Sequence, residues 1–231
     1  MRIMNKKISL LCLICFLVVG GFSQGSFRIK ADITIKIKNQ DSTFQYTKGT
    51  VSYDRNFKKV IYDISFPQKE TYISEDTLVY KYQNRKLIST QGSPLKPEFS
   101  IFQFILNNDI SDFGLKNSSY TATNIEKSND LIITKWTAPA VPDFPLGDIL
   151  VSSKNKRLQS VIIHNKKREI ISRQIFKKYT FINGIEIPTE ILSVSYFGGK
   201  KSYQIIQFDK VQINESGHDS DYDYKVQKIK L

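Results

Sequence analysis

Two histidines and one run of alternating acids are the residues of this chain best suited to chemistry. His164 and His218 are its two histidines, the side-chain type whose ordinary pKa permits proton exchange near neutrality. His164 closes a strand-like segment ahead of the basic turn Lys166-Lys-Arg168, which reads as a structural histidine at the surface. His218 opens the segment His-Asp-Ser-Asp-Tyr-Asp223, in which Asp219, Asp221 and Asp223 alternate like the first ligands of a calcium loop. Such a loop needs a glycine at its sharp bend and a bidentate glutamate at its end, and neither follows here. The segment therefore reads as an acidic turn. The chain has no nucleophile elbow, no phosphate-cradling glycine loop and no His-Glu-x-x-His pair. Glu75 and Asp76 form a carboxylate pair inside a turn, where solvation is the default. These readings predict no enzyme activity, no cofactor and no metal.

The N-terminus carries a different kind of information. Arg2, Lys6 and Lys7 precede an apolar run from Ile8 to Val19, and Gly21-Phe-Ser23 supplies small residues for a signal peptidase. The expectation is a cleavable signal peptide over residues 1–23, one domain over 24–231, and export to a periplasm. The run holds roughly 15 apolar residues against the ~20 of a membrane span, so an uncleaved inner-membrane anchor is the less favoured alternative. Cys12 and Cys15 both lie in the leader, and cleavage leaves no thiol for a disulfide, a nucleophile or a metal. Leu11 and Ile14 precede them, which is not the pattern of lipid attachment.

Setting aside Arg2, Lys6 and Lys7 leaves 31 basic residues against 22 acidic ones. An exported chain with that surplus is a poor candidate for nucleic acid; its distribution favours a solvated surface, with contact with anionic lipid head groups as the lesser alternative. Most lysines alternate with apolar residues along strand-like segments and read as a solvated face. Lys166-Lys-Arg168 is the one true cluster, at what reads as a hairpin tip.

The body reads as antiparallel β-sheet nearly throughout. From Arg28 to Lys38, Ile29, Ala31, Ile33, Ile35 and Ile37 point one way while charged and polar residues point the other. Strand patterns follow at 43–54, with Gly49 at a bend or bulge, and at 58–66, before Pro67. Shorter ones occupy 71–74, 77–83 and 86–90, the last two paired around Asn84-Arg85. After Gln91-Gly-Ser-Pro94 the period changes. Phe99, Phe102, Ile105 and Leu106 recur at helical spacing between Pro97 and Asn108, with a further short turn of helix near Ile110–Leu115. β-pattern resumes on either side of the proline-rich loop Ala138–Pro145, and Asn183-Gly184 and Gly198-Gly199 mark the last two hairpins. The predicted fold is mainly β: a curled antiparallel sheet of about eleven strands, a half-open barrel, with one or two short lid helices.

Such a meander is too long to stay flat and must curl. The chain holds 12 tyrosines and 15 phenylalanines, enough either to fill the core solidly or to line a cavity. A short helix bearing Phe99, Phe102, Ile105 and Leu106 over the curl favours a lidded apolar cavity.

Several stretches together resemble the periplasmic lipoprotein carriers of the LolA/LolB type. They are Lys48-Gly-Thr-Val-Ser-Tyr-Asp-Arg-Asn-Phe57, Ile61-Tyr62, Pro67 and Tyr72-Ile-Ser-Glu-Asp-Thr-Leu-Val-Tyr-Lys-Tyr82. Lys96-Pro-Glu-Phe-Ser-Ile-Phe-Gln-Phe-Ile-Leu106 is similar to that family's lid helix, and Asp221-Tyr-Asp-Tyr224 to its closing aromatic element. Two departures stand out. Phe27 already begins a strand pattern where the family has an amphipathic helix, and Asn56 follows Arg55 where the family has proline.

The resemblance implies a carrier that is no enzyme and binds acyl chains of lipoproteins, or another lipid, in an apolar concave cavity. It also implies donor and acceptor membrane proteins as partners, no nucleic acid, and a monomer. The wall candidates are Ile29, Ile33, Ile35, Ile37, Phe44, Tyr46, Tyr62, Tyr80 and Tyr82, with Phe99, Phe102 and Leu106 on the lid and Arg55 tethering it. At ~0.8 kcal/mol per methylene, full shielding of three chains would exceed the ceiling of about 20 kcal/mol for noncovalent affinity. A carrier must consequently cover its cargo in part, or pass it directly between partners. Two other readings stay open: an envelope stress sensor on the same scaffold, and a plain β-sandwich scaffold or adhesion module with no cavity.

Overall fold

The computed structural model of the chain describes residues 27–93, 96–97, 100–141, 144 and 146–226. The expected signal peptide at 1–23, and Phe99, lie outside the described residues.

Every strand pattern becomes a strand, and thirteen form in all. They are β1 (Arg28–Lys38), β2 (Phe44–Asp54), β3 (Lys59–Phe66), β4 (Glu70–Glu75), β5 (Leu78–Gln83) and β6 (Lys86–Gly92) before the helical segment. After it come β7 (Thr121–Ser128), β8 (Leu131–Thr137), β9 (Ile149–Lys154), β10 (Arg157–His164), β11 (Ile170–Ile182), β12 (Ile185–Phe197) and β13 (Lys200–Ile213). One antiparallel sheet contains them all, in the order β6-β5-β4-β3-β2-β1-β13-β12-β11-β10-β9-β8-β7. Its edges are β6 and β7, so the sheet is not closed into a barrel.

Local chemistry explains the hairpins. Asn84-Arg85, Asn155-Lys156, Asn183-Gly184 and Gly198-Gly199 all adopt positive φ at both central positions, the geometry that matches the twist of flanking strands. Gly49 sits at a register shift between β2 and β3, where a Cβ would lie 2.2 Å from the Asp63 carbonyl oxygen. The expected bulge is there, and glycine is what lets β3 approach.

Between β6 and β7 the chain forms α1 (Ile101–Leu106), capped by the Ser100 hydroxyl, which accepts from Gln103 N–H. Two single turns of 3-10 helix follow, at Ile110–Asp112 and Leu115–Asn117. The helix packs against β1 and β12, and the first of these turns against β9 and β10. This segment buries Phe102, Phe104, Ile105, Leu106, Ile110 and Leu115 in one cluster with Ile29, Ile33, Val51, Phe176, Ile191 and Phe208 of the sheet.

Candidate functional site: the concave face and its lid

Register decides which side of each strand faces the lid. Residues directly opposite one another in a ladder share a face. Ile33, Ile35 and Ile37 stand opposite Phe208, Ile206 and Gln204, and Val51 stands opposite Tyr62. These lie on the lid side. Ile33 is buried, and Ile35 and Tyr62 pack half-buried against the core cluster. Burial pushes the Tyr62 phenol up to about 12. On the lid, Phe102 and Leu106 are buried. Phe102 stacks on Tyr53 with ring centroids 6.4 Å apart and meets Phe208 edge-on at 5.7 Å.

Two polar ties hold this lid. Arg55 Nη1 donates to Asn107 Oδ1 at 2.7 Å, and Asn107 is the C-cap of α1. Tyr53 Oη donates to Gln103 Oε1 at 2.6 Å. The position expected to tether the lid is thus in contact with it. Tyr53, Gln103 and Asn107 were not among the expected residues. Tyr53 continues the alternation of β2 and was within reach of pattern reading, whereas nothing in the sequence pairs it with Gln103.

Four expected wall residues are placed elsewhere. Phe44 and Tyr46 stand opposite Lys38 and Lys36, on the outer face, and Phe44 is 76% exposed. Tyr80 and Tyr82 stand opposite Ile73 and Thr71, also on the outer face. There they form a second cluster with Ile61 and Ile73, against which Tyr224 and Val226 pack. Period-two alternation gave each strand two faces, but the face turned to the lid is set by pairing across the sheet.

That second cluster explains the alternating acids. The segment 219–226 lies along the outer face, and each carboxylate meets a cation: Asp219 with Arg28 at 2.8 Å, Asp221 with Lys30 at 2.7 Å and Asp223 with Lys59 at 3.2 Å. Arg28 also faces the fully buried Asp54 at 3.2 Å and stacks its guanidinium over the Tyr222 ring. Arg28 and Lys30, expected in water, are covered. His164 is half-buried, its Nδ1 2.9 Å from the Asp148 carbonyl, a structural contact.

Where an open cavity was expected beneath α1, the described residues place the lid's own side chains, packed in one cluster with the sheet. Three clefts, of about 850, 510 and 270 Å³, all border Asp63. Asp63, opposite Thr71 and Thr50, belongs to the outer face, so these clefts do not lie under the lid. Farther along the concave side, over β4 and β5, the lining turns polar. Glu70 accepts from Tyr72 Oη at 2.6 Å and pairs with Lys81 at 2.9 Å. The Tyr72 bond, and then Lys81, hold the Glu70 carboxyl below its ordinary range.

No family model matches the chain, and no curated protein does. Solved structures do. It is similar to a LolA superfamily protein from Nitrosomonas europaea, with a TM-score of 0.56 and 13% identity over 88% of this chain and 92% of that one. It is equally similar to a DUF1329 family protein from Desulfovibrio piger, with a TM-score of 0.59 and 11% identity over 87% and 91%. A Vibrio parahaemolyticus domain assigned to outer membrane lipoprotein sorting gives 0.59 and 11% over 86% and 90%. The chain therefore has a LolA-like fold.

Proposed function

We propose that this chain is a noncatalytic periplasmic carrier that shelters acyl chains of lipoproteins, or of another lipid, on its concave face. In this reading residues 1–23 direct export and 24–231 form the single working domain. The observation that carries it is the lid. A short helical segment plugs an apolar concave surface with Phe102, Ile105 and Leu106 and is tied to the end of β2 through Tyr53 and Arg55.

Exchange of like for like makes such a plug useful. Displacing the four buried side chains of α1 gives up about 8 kcal/mol of burial at ~2 kcal/mol each, while sheltering some 14 methylenes of one acyl chain returns about 11 kcal/mol. The difference of about 3 kcal/mol is favourable but modest, as reversible carriage requires. A permanently empty cavity is not needed, since the closed lid keeps the apolar wall dry until cargo arrives. Ile33, Ile35, Ile37 and Tyr62 form the wall in this proposal, Phe102 and Leu106 the displaceable plug, and Arg55 the latch.

Mass spectrometry of organic extracts of the purified protein tests the proposal, together with titration of a fluorescent fatty-acyl probe. The expected result is co-purifying lipid and saturable binding that Phe102→Asp weakens while the far-ultraviolet circular dichroism keeps its β signature. Absence of lipid together with absence of saturable binding refutes it. Should Phe102→Asp fail to fold, Ile35→Trp, which narrows the wall without adding charge, is expected to lower probe capacity.

A further inference from the structure

One end of the sheet gathers exposed aromatic rings and unpaired cations. The β1–β2, β3–β4, β10–β11 and β12–β13 connections all turn there, because Lys38 pairs with both Phe44 and Tyr203 and Lys48 with Phe66. Phe44, Phe66, Phe197 and Tyr203 are 76%, 49%, 81% and 45% exposed at this end, a density of large apolar groups that a solvated surface does not require.

Lysines lie over Phe44 and over two neighbouring tyrosines at this end. Lys38 Nζ lies 5.7 Å from the Phe44 ring, Lys48 Nζ 5.5 Å from Tyr46 and Lys201 Nζ 5.5 Å from Tyr196. Among the described residues none of these three lysines pairs with a carboxylate, whereas Lys30, Lys59, Lys81, Lys135, Lys178 and Lys210 do. The basic turn Lys166-Lys-Arg168 joins them at the same end. The nearby acids Asp41 and Glu169 are exposed but engaged within their own turns: Asp41 accepts from Thr43 Oγ1 at 2.6 Å, and Glu169 accepts from Asn165 Nδ2 at 2.7 Å.

We propose that this aromatic and cationic rim is a docking surface for an anionic phospholipid bilayer. Rings at the tips of the hairpins reach the level of the acyl boundary, while lysine stems run along them and carry their ammonium groups to the phosphate layer. The complement such a surface calls for is negative, fluid and extended in two dimensions. A bilayer supplies all three, and a folded acidic protein supplies only the first. The latch residues Tyr53 and Arg55 stand at the opposite end of β2, so a docked molecule holds its lid fastening away from the membrane plane. The inference does not depend on what the concave face binds.

Flotation with vesicles of neutral phosphatidylcholine, and of the same lipid with 30% phosphatidylglycerol, tests it. Every variant keeps the same N-terminus, so any contribution of residues 1–26 is common to all. Binding is expected on the anionic vesicles only and is expected to fall as salt rises from 0.1 M to 1 M, where screening shortens from ~10 Å to ~3 Å. Each lysine near an anionic surface contributes about 5-fold to partitioning, so Lys38→Gln/Lys201→Gln is expected to cost about 25-fold. The control Lys127→Gln/Lys156→Gln removes the same charge from the other end and is expected to cost less than about 3-fold. Phe44→Ser/Phe197→Ser is expected to lower binding while leaving melting unchanged. Equal losses from the two lysine pairs would overturn the proposal, as would equal binding to neutral vesicles. Loss of a dimer in sedimentation velocity on replacing the rim residues would overturn it in favour of a second copy as the occupant.

Discussion

Replacing Arg55 by alanine isolates the latch from the plug. The side chain reaches Asn107 through one solvent-exposed bond of 2.7 Å and leaves the apolar packing of Phe102 and Leu106 untouched. An exposed hydrogen bond from a guanidinium to an amide contributes about 1 kcal/mol, well below what the same bond gives in a dry interior. If cargo binds only with the lid displaced, its apparent affinity is the intrinsic value multiplied by the open fraction. Loosening a mostly closed lid by about 1 kcal/mol then raises the open fraction, and the affinity for an acyl probe, by about 5-fold. The fold itself should lose only 2–4 °C in melting temperature, the usual scale for ~1 kcal/mol in a domain of this size. Titration of a fluorescent fatty-acyl probe against wild type, Arg55→Ala, Asn107→Ala and the double variant reads this directly. Both single changes remove the same bond, so the double should equal either one. Additive effects, or weaker binding by Arg55→Ala, would refute the assignment of Arg55 as a latch.

Three further changes test the frame. Arg28→Ala strands the fully buried Asp54 without its cation and frees the 219–226 segment, so a loss of about 3–5 kcal/mol and of roughly 10 °C in melting is expected in calorimetry. Gly49→Ala drives a Cβ against the Asp63 carbonyl, so denaturant melts should show a loss greater than about 1 kcal/mol, whereas Gly92→Ala, with open space around it, should be nearly neutral. Because the folded Glu70 carboxyl titrates below its ordinary value of ~4.3, its contribution is present above that pH and disappears as pH falls through the folded value. The stability gap between wild type and Glu70→Gln should therefore be full at neutral pH and close under acid; a gap that widens on acidification would contradict the assigned bonds.

Much of the frame is legible in local chemistry. The apolar residues of β1 alternate without a break, and Asn84-Arg85, Asn183-Gly184 and Gly198-Gly199 sit where tight turns demand positive φ. Gly49 announced its bulge, and the period change after Gly92 announced the lid. What stayed hidden depends on contacts far apart in the chain. Lys30 meets Asp221 across 191 residues, and Lys59 meets Asp223 across 164. Without that covering segment Tyr80 and Tyr82 look like free aromatic wall, and Asp219 to Asp223 look like ligands in search of an ion. Phe44 and Tyr46 were misplaced for a related reason, since a strand considered alone does not say which of its sides looks inward. Phe104 lies off the helical stripe, yet it is buried in the core cluster, where Phe113 and Gly114 downstream pack against its ring.

The pairing of β1 with β13 has a consequence for how the chain could be re-ordered. Asn214 N–H donates to the Arg28 carbonyl, and the Asn214 side chain accepts from Phe27 N–H, so the two terminal strands meet as closely as any hairpin. Walked in spatial order, the strands form an unbroken zigzag whose one gap is spanned by the α1 segment. A circular permutant that keeps the 219–226 segment, links its end to residue 27 through a flexible linker and is reopened between β6 and β7 would therefore retain the order of every ladder while turning the plug into a pair of loose tails. Sheet integrity and lid closure are then separable by a single cut.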